Sequence, residues 1–176
     1  PVPELPHFRV TSRLMTRSPL LSVFIPTYNG ERYVREAIES VLDNGFADLE
    51  VIVIDDGSTD ATVQTIESIH HPALRLLRNP RNLGVVETRR RGVALLRGQY
   101  VALLDQDDVA VPGRFSAQLA RLETASGPDI VGGAIENFGD FESVKSYYAS
   151  DAEIRAALLF NASICNPAAC MKVRPL

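Results

Sequence analysis

The chain has 176 residues, enough for one domain of ordinary size, with 45% hydrophobic and 23% charged residues. Its 18 basic and 22 acidic residues leave a net charge of −4, which argues against a partner held by its phosphate backbone, so no nucleic acid is expected. Two cysteines, Cys165 and Cys170, are too few for a disulfide framework, and no apolar run is long enough to cross a membrane, so a reducing, cytoplasmic setting is expected.

Residues 1–19 hold four Pro and three Arg without periodicity and read as a flexible arm. They lack the apolar stretch of a signal peptide. From Leu20 onward, short apolar runs alternate with helix-period segments. Leu21 to Ile25 predicts a strand stopped by Pro26. Val34, Ala37, Ile38, Val41 and Leu42 recur at helical spacing. Val51 to Ile54 is apolar at every position, as in a strand buried on both faces. Thr62 to Ile69 predicts a helix capped by Ser58 or Thr59. Leu74 to Leu77 predicts a strand, Val85 to Leu96 a helix, and Tyr100 to Leu104 a strand. Phe115, Leu119 and Leu122 mark another helix, and Asp129 to Gly133 a fifth strand. Beyond Ala134 the periodicity fades, although Ile154, Leu158 and Leu159 share a helical face within Asp151–Phe160. The sequon Asn161-Ala162-Ser163 reads as chance in a chain without a secretion signal.

Strands alternating with helices give an α/β fold, a mainly parallel sheet flanked by helices. Residues 20–133 carry this pattern, and it fades over 134–176. In such sheets ligands bind beyond the carboxyl ends of the strands. Those ends are Pro26-Thr27-Tyr28-Asn29, Asp55-Asp56-Gly57-Ser58, Arg78-Asn79 and Asp105-Gln106-Asp107-Asp108. Three carboxylates within the last four residues repel one another unless a cation sits among them. Extended geometry through Asp107 would place Asp105 and Asp107 on one face, a donor set suited to Mg²⁺ or Mn²⁺. An acidic turn at the start of a helix is the plainer alternative. At Asp56, a carboxylate at a strand end suits base or ribose donors. Gly57 allows a tight turn, and Ser58, Thr59 and Asp60 offer caps. Arg89, Arg90 and Arg91 point about 100° apart on a helix, so only one of them can face a diphosphate. No P-loop and no dinucleotide-binding glycine motif is present.

Pro26-Thr27-Tyr28-Asn29-Gly30-Glu31, Val53-Ile54-Asp55-Asp56-Gly57-Ser58-Thr59-Asp60, Asn82-Leu83-Gly84-Val85 and Leu104-Asp105-Gln106-Asp107-Asp108 together resemble the family 2 glycosyltransferases. The resemblance covers roughly residues 20–133, and Asn166-Pro167 extends it. It implies a Rossmann-like nucleotide-diphospho-sugar transferase fold. It also implies metal-assisted, inverting transfer of a sugar from a nucleotide diphosphate, often UDP-linked, to a hydroxyl of a saccharide or lipid-linked acceptor of cell-envelope type. Pro26, Tyr28 and Glu31 would line the nucleotide pocket, with Asp56 at the base and Arg89 near the diphosphate. Asp105 and Asp107 would form the Asp-x-Asp metal element, Asp107 the more direct ligand, and Asp108 would face sugar or acceptor. The family's base follows its Asn-Pro region as an acidic pair. No such pair follows Asn166, so a C-terminal truncation is expected and the base residue is unassigned. Arg90 stands where the family commonly has Asn. The expected location is cytoplasmic, with the inner face of the membrane as the place of any peripheral contact.

Two alternatives accompany this reading. One is a domain that binds donor without turning it over. The other is a phosphatase of haloacid dehalogenase type, with Asp105 as nucleophile, Asp107 as acid/base and Lys145 as the later lysine. It lacks the later acidic pair and leaves Asp55-Asp56-Gly57-Ser58 without a role.

Overall fold

The computed structural model describes residues 17–138, 142–158 and 163–173. Most of the expected arm (1–16), the first two sequon residues, and Leu159 and Phe160 lie outside them. The central sheet has six strands, in the spatial order β3 (Leu74–Arg78), β2 (Leu49–Asp55), β1 (Leu21–Thr27), β4 (Tyr100–Leu103), β8 (Cys170–Lys172) and β5 (Ile130–Val131). The first four are parallel, with Leu21 opposite Leu49 and Thr27 opposite Asp55. β8 runs antiparallel between β4 and β5. The sheet therefore draws on residues from both sides of position 133. A separate hairpin joins β6 (Ile135–Asn137) to β7 (Ser143–Lys145).

The helices are α1 (Val34–Leu42), α2 (Thr62–Glu67), α3 (Val85–Val93), α4 (Arg114–Leu122) and α5 (Asp151–Ala157). Alternation along the strands sorts the core into two layers. Val23, Ile25, Val51 and Val53 pack with Val34, Ile38 and Val41 of α1 and with Phe115, Leu119 and Leu122 of α4. Phe24, Ile52 and Ile54 pack on the opposite face with Leu77, Leu95, Leu96 and Leu103. Val51–Ile54 is apolar throughout because both its faces are covered. α3 meets the sheet through small residues: Thr88 and Gly92 are buried, while Val86 and Val93 are exposed. A Cβ on Gly92 would lie 2.4 Å from the Phe24 ring, so the close approach of α3 requires glycine there.

Several sequence expectations need correction. Pro26 does not stop β1, which continues to Thr27. Phe24 is the last residue paired with β4, and Thr27 C=O accepts from Asp56 N–H on the β2 side. Backbone groups alternate sides along a strand, so Pro26 faces the side where β1 has outrun β4, and its missing N–H costs no ladder bond. α3 ends at Val93 rather than Leu96, because Leu95 and Leu96 donate three residues back and tighten the chain out of the helix. Ser58 and Thr59 do not cap α2, whose cap position is Ala61. The fifth strand is only two residues long, an exposed edge. α5 begins at a Ser150–Glu153 capping box, and Leu158 lies beyond it, exposed.

Candidate functional site

The carboxyl ends of β1, β2 and β4 open on one cavity of about 350 Å³, to which Pro26, Tyr28, Asp56, Arg89, Asp105 and Asp107 contribute walls. Parallel strands in register deliver these ends side by side, which is why residues 81 positions apart in the chain (26 to 107) meet.

The loop after β2 is built around two carboxylates with different tasks. Asp55 is fully buried, takes the Ser58 N–H on both oxygens and lies 3.7 Å from the Arg78 guanidinium. It shapes the turn, with Gly57 at φ 76° and a Cβ there 2.5 Å from Arg81 backbone. Asp56 is also buried but reaches the cavity wall. Its Oδ1 accepts from Asn79 Nδ2 (2.7 Å) and Leu83 N–H (2.9 Å), and its Oδ2 from Gly84 N–H (2.9 Å). Burial pushes its pKa up, but these bonds and one from Thr88 outweigh it, and the net shift is downward. Asp56 thus holds the 79–84 segment and the start of α3 against the cavity as a fixed anion.

The segment after β4 is a turn, not extended chain: β4 ends at Leu103, and Asp108 N–H donates to Asp105 C=O at 3.2 Å. Strand alternation therefore does not place Asp105 and Asp107 together. The turn nevertheless brings both to the same cavity. Arg89 Nη2 bonds Asp105 Oδ1 at 3.1 Å. Among the described residues no group of three or more His, Cys, Asp or Glu is gathered as a ready metal cluster. Asp105 and Asp107 both line the cavity, and carboxylate oxygens of this kind fit a hard cation. Asp108 faces elsewhere. It lines a second cavity of about 700 Å³ with Leu104, Arg114, Gln118 and Ala168. Desolvation, then the charges of Asp105 and Asp107, raise its pKa.

Glu31 is not among the residues that line the first cavity; its carboxylate accepts the Ala61 N–H at 2.8 Å and braces the loop before α2. Arg90 pairs with Glu87, and Arg91 bonds Asn79 Oδ1, so of the three arginines only Arg89 reaches the cavity. Asp60 accepts from Thr62 and Glu31 N–H groups and holds the loops together.

Three residues escape sequence reasoning. Gln106 binds Thr27 and Tyr28 across the cavity floor. Gln118 donates to Ala168 and Gly132 carbonyls beneath the second cavity. Glu50, 2% exposed within β2, accepts from Ser22, Arg75 and Arg97. Only Glu50 left a signal in the sequence, as an acid directly before the apolar run Val51–Ile54.

Comparison with known proteins identifies the family and the fold. The model of the Glycosyl transferase family 2 matches residues 22–169. A chondroitin synthase from Escherichia coli is 35% identical over 116 residues, covering 62% of this chain and 17% of the synthase. Staphylococcus aureus TarS 1–349, solved in complex with UDP-GlcNAc, superposes with a TM-score of 0.72 at 22% identity, over 86% of this chain and 45% of TarS 1–349. Mannosyltransferase PcManGT from Pyrobaculum calidifontis, in complex with GDP-Man and Mn²⁺, superposes with a TM-score of 0.60 at 20% identity, over 89% of this chain and 45% of its own. The likeness to these two structures shows the fold, a mostly parallel sheet with flanking helices of the GT-A type. This chain spans from 10% to 41% of the length of other curated relatives that it matches. The family match includes Asp105, Asp107 and Lys145, so the phosphatase alternative is set aside.

Proposed function

This chain belongs to glycosyl transferase family 2, and from that membership we propose that its first cavity binds a nucleotide-diphosphate sugar, UDP-linked, for metal-assisted, inverting transfer to an acceptor hydroxyl. The observation that carries the reading is the convergence of Pro26, Tyr28, Asp56, Arg89, Asp105 and Asp107 on one cavity at the carboxyl edge of the sheet.

Pro26 and Tyr28 offer apolar surface to the nucleoside, with Tyr28 exposed enough (41%) to meet a base. Asp56, its oxygens held by Asn79, Leu83, Gly84 and Thr88, presents a fixed negative charge at the cavity wall to a ring N–H or ribose hydroxyl. Arg89 is 32% exposed and can turn from Asp105 toward the diphosphate. Asp105 and Asp107 would hold Mg²⁺ or Mn²⁺, which when bound supplies Lewis-acid stabilisation of the charge on the leaving diphosphate. Asp108, on the second cavity beside the acidic turn, would orient the sugar or the acceptor hydroxyl. The acceptor is a saccharide or lipid-linked saccharide. Among the described residues no helix is long and apolar enough to cross a membrane.

Calorimetry with UDP, GDP and dTDP in the presence of Mn²⁺ tests the proposal. UDP should bind in the micromolar range, at about −7 to −8 kcal/mol, and the other two about tenfold or more weaker. A folded chain that binds none of the three would overturn the donor-site assignment.

A further inference from the structure

Gln106 is the residue between Asp105 and Asp107, and its side chain does not point into solvent as the middle residue of an acidic turn ordinarily would. It crosses to the loop after β1 and pairs with the backbone of Tyr28 in both directions. Tyr28 N–H donates to Gln106 Oε1 at 2.9 Å, and Gln106 Nε2 donates to Tyr28 C=O at 3.2 Å. Thr27 Oγ1 donates to the same Oε1 at 2.5 Å. The amide thus acts as one more peptide unit laid beside residue 28, joining segments 78 positions apart.

The loop is shaped to admit it. A Cβ on Gly30 would lie 2.4 Å from Gln106 Oε1 and 2.7 Å from its Cδ. Gly30 is not in the left-handed region, so backbone conformation alone does not demand glycine there. The space a side chain would need is taken by the Gln106 amide, with Thr27 Oγ1 beside it at 3.0 Å, so a larger residue at 30 displaces the amide. Gly30 N–H is held in turn by Thr62 Oγ1 at 2.7 Å, which fixes the loop from the opposite side.

We propose that Gln106 is a positioning residue that locks the nucleoside wall at Tyr28 to the acidic turn, so that the two halves of the donor cavity are set as one body. This rests on the donor-site reading above. Without the amide, the Tyr28 backbone loses both partners and the ring is free to leave the base. The carboxylates of Asp105 and Asp107 remain in place, since neither depends on Gln106 for a hydrogen bond. The defect therefore belongs to the nucleoside and is indifferent to the cation.

The test compares the wild-type chain with Q106M, which keeps the volume and removes the pairing, and with G30A, which expels the amide from the other side. Hydrogen exchange at the Tyr28 amide is read first, with no ligand present. Exchange should quicken at Tyr28 in both variants, and an unchanged rate in Q106M overturns the proposal. Calorimetry with uridine and with UDP, each in EDTA and in Mn²⁺, is read second. Both probes should weaken by the same factor, about five- to tenfold, with or without the cation. A loss confined to UDP with Mn²⁺ would place Gln106 in the service of the acidic turn and contradict the proposal. The pair G30A and G30A/Q106A supplies the third readout. G30A should cost several-fold in uridine affinity alone and much less once Gln106 is already Ala, because of the close neighbours of a Cβ at position 30 only Thr27 Oγ1, at 3.0 Å, remains. Additive losses would show that Gly30 acts independently of Gln106. If the wild-type chain binds neither probe, the donor-site reading fails, while the exchange result at Tyr28 still decides whether Gln106 holds the loop.

Discussion

Replacing Asp56 by Asn removes one oxygen from a group that uses both. Oδ1 takes Asn79 and Leu83 N–H, and Oδ2 takes Gly84 N–H. An Asn keeps an acceptor on one side and presents NH₂ to a donor on the other. An unpaired buried donor costs about 1–3 kcal/mol. Gly84 N–H also reaches Asn82 Oδ1 at 3.0 Å, which moderates that loss toward about 1–2 kcal/mol. The two surviving bonds lose their charge, at about 0.5–1 kcal/mol each. The sum is about 3 kcal/mol, or a fall of roughly 6–12 °C in Tm for a chain of this size. The pH dependence has a definite sign. The folded pKa of Asp56 lies below its ordinary 3.8. The charge therefore stabilises the fold fully above that ordinary value, and the contribution is lost as pH falls through the lowered folded pKa. Thermal melts followed by circular dichroism at pH 7 and near pH 3 make the test. The gap between wild type and D56N should be widest at neutral pH and narrow in acid. Equal melting at pH 7, or a gap that stays constant into acid, would refute the assignment of Asp56 as the anion that organises residues 79–84.

The remaining predictions concern other links of the same structure. Gly92→Ala drives a methyl into the Phe24 ring, and overpacking of about 1–3 kcal/mol should outweigh the helix propensity gained, lowering Tm in the same melts. Glu50→Gln leaves Arg97 and Arg75 without their buried counter-charge and should cost about 2–4 kcal/mol by urea denaturation at pH 7. Burial raises the Glu50 pKa, but bonds from Arg97 and Ser22 bring it below its ordinary 4.5 overall, so this loss should be complete above that value and fade as pH falls below it. Arg89→Met releases Asp105 from its ion pair with the guanidinium. It should strengthen binding of Mn²⁺ alone by several-fold while weakening UDP in the presence of Mn²⁺, and both changes can be read by calorimetry.

How much of this was legible in the sequence differs by element. The α/β class followed from periodicity, because Val34, Ala37, Ile38 and Val41 and the unbroken Val51–Ile54 run report directly which faces are covered. The start of α3 at Val85 is legible in the sequence, but its end and its packing are not. Its buried face is Thr88 and Gly92, and its exposed residues include Val86 and Val93, so hydrophobicity points the wrong way. Pro26 misled because a missing N–H matters only where a neighbouring strand expects it, and strand length on each side is a tertiary fact. β8 has no signature in the sequence: Cys170–Lys172 is three residues long and acquires strand identity only by fitting between β4 and β5. Within the site, Asp105 and Asp107 stand out by their spacing, Asp56 by its place at a strand end and Arg89 only through the family resemblance, and the structure brings the four to one cavity. Glu31 was named on the same grounds but serves Ala61, a difference of side-chain direction that residue order does not encode. Gln106 carried no signal because an amide between two acids reads as filler. Its meaning lies in a backbone 78 residues away.

The most direct test follows Mn²⁺ itself by electron paramagnetic resonance, comparing wild type with Asp107→Asn. With the wild-type chain, adding UDP should deplete the free Mn²⁺ signal well beyond what UDP does in buffer, and D107N should need about tenfold more metal for the same depletion. Depletion identical in the two proteins, or no greater than with UDP alone, would mean that the turn after β4 does not seat the cation that grips the diphosphate.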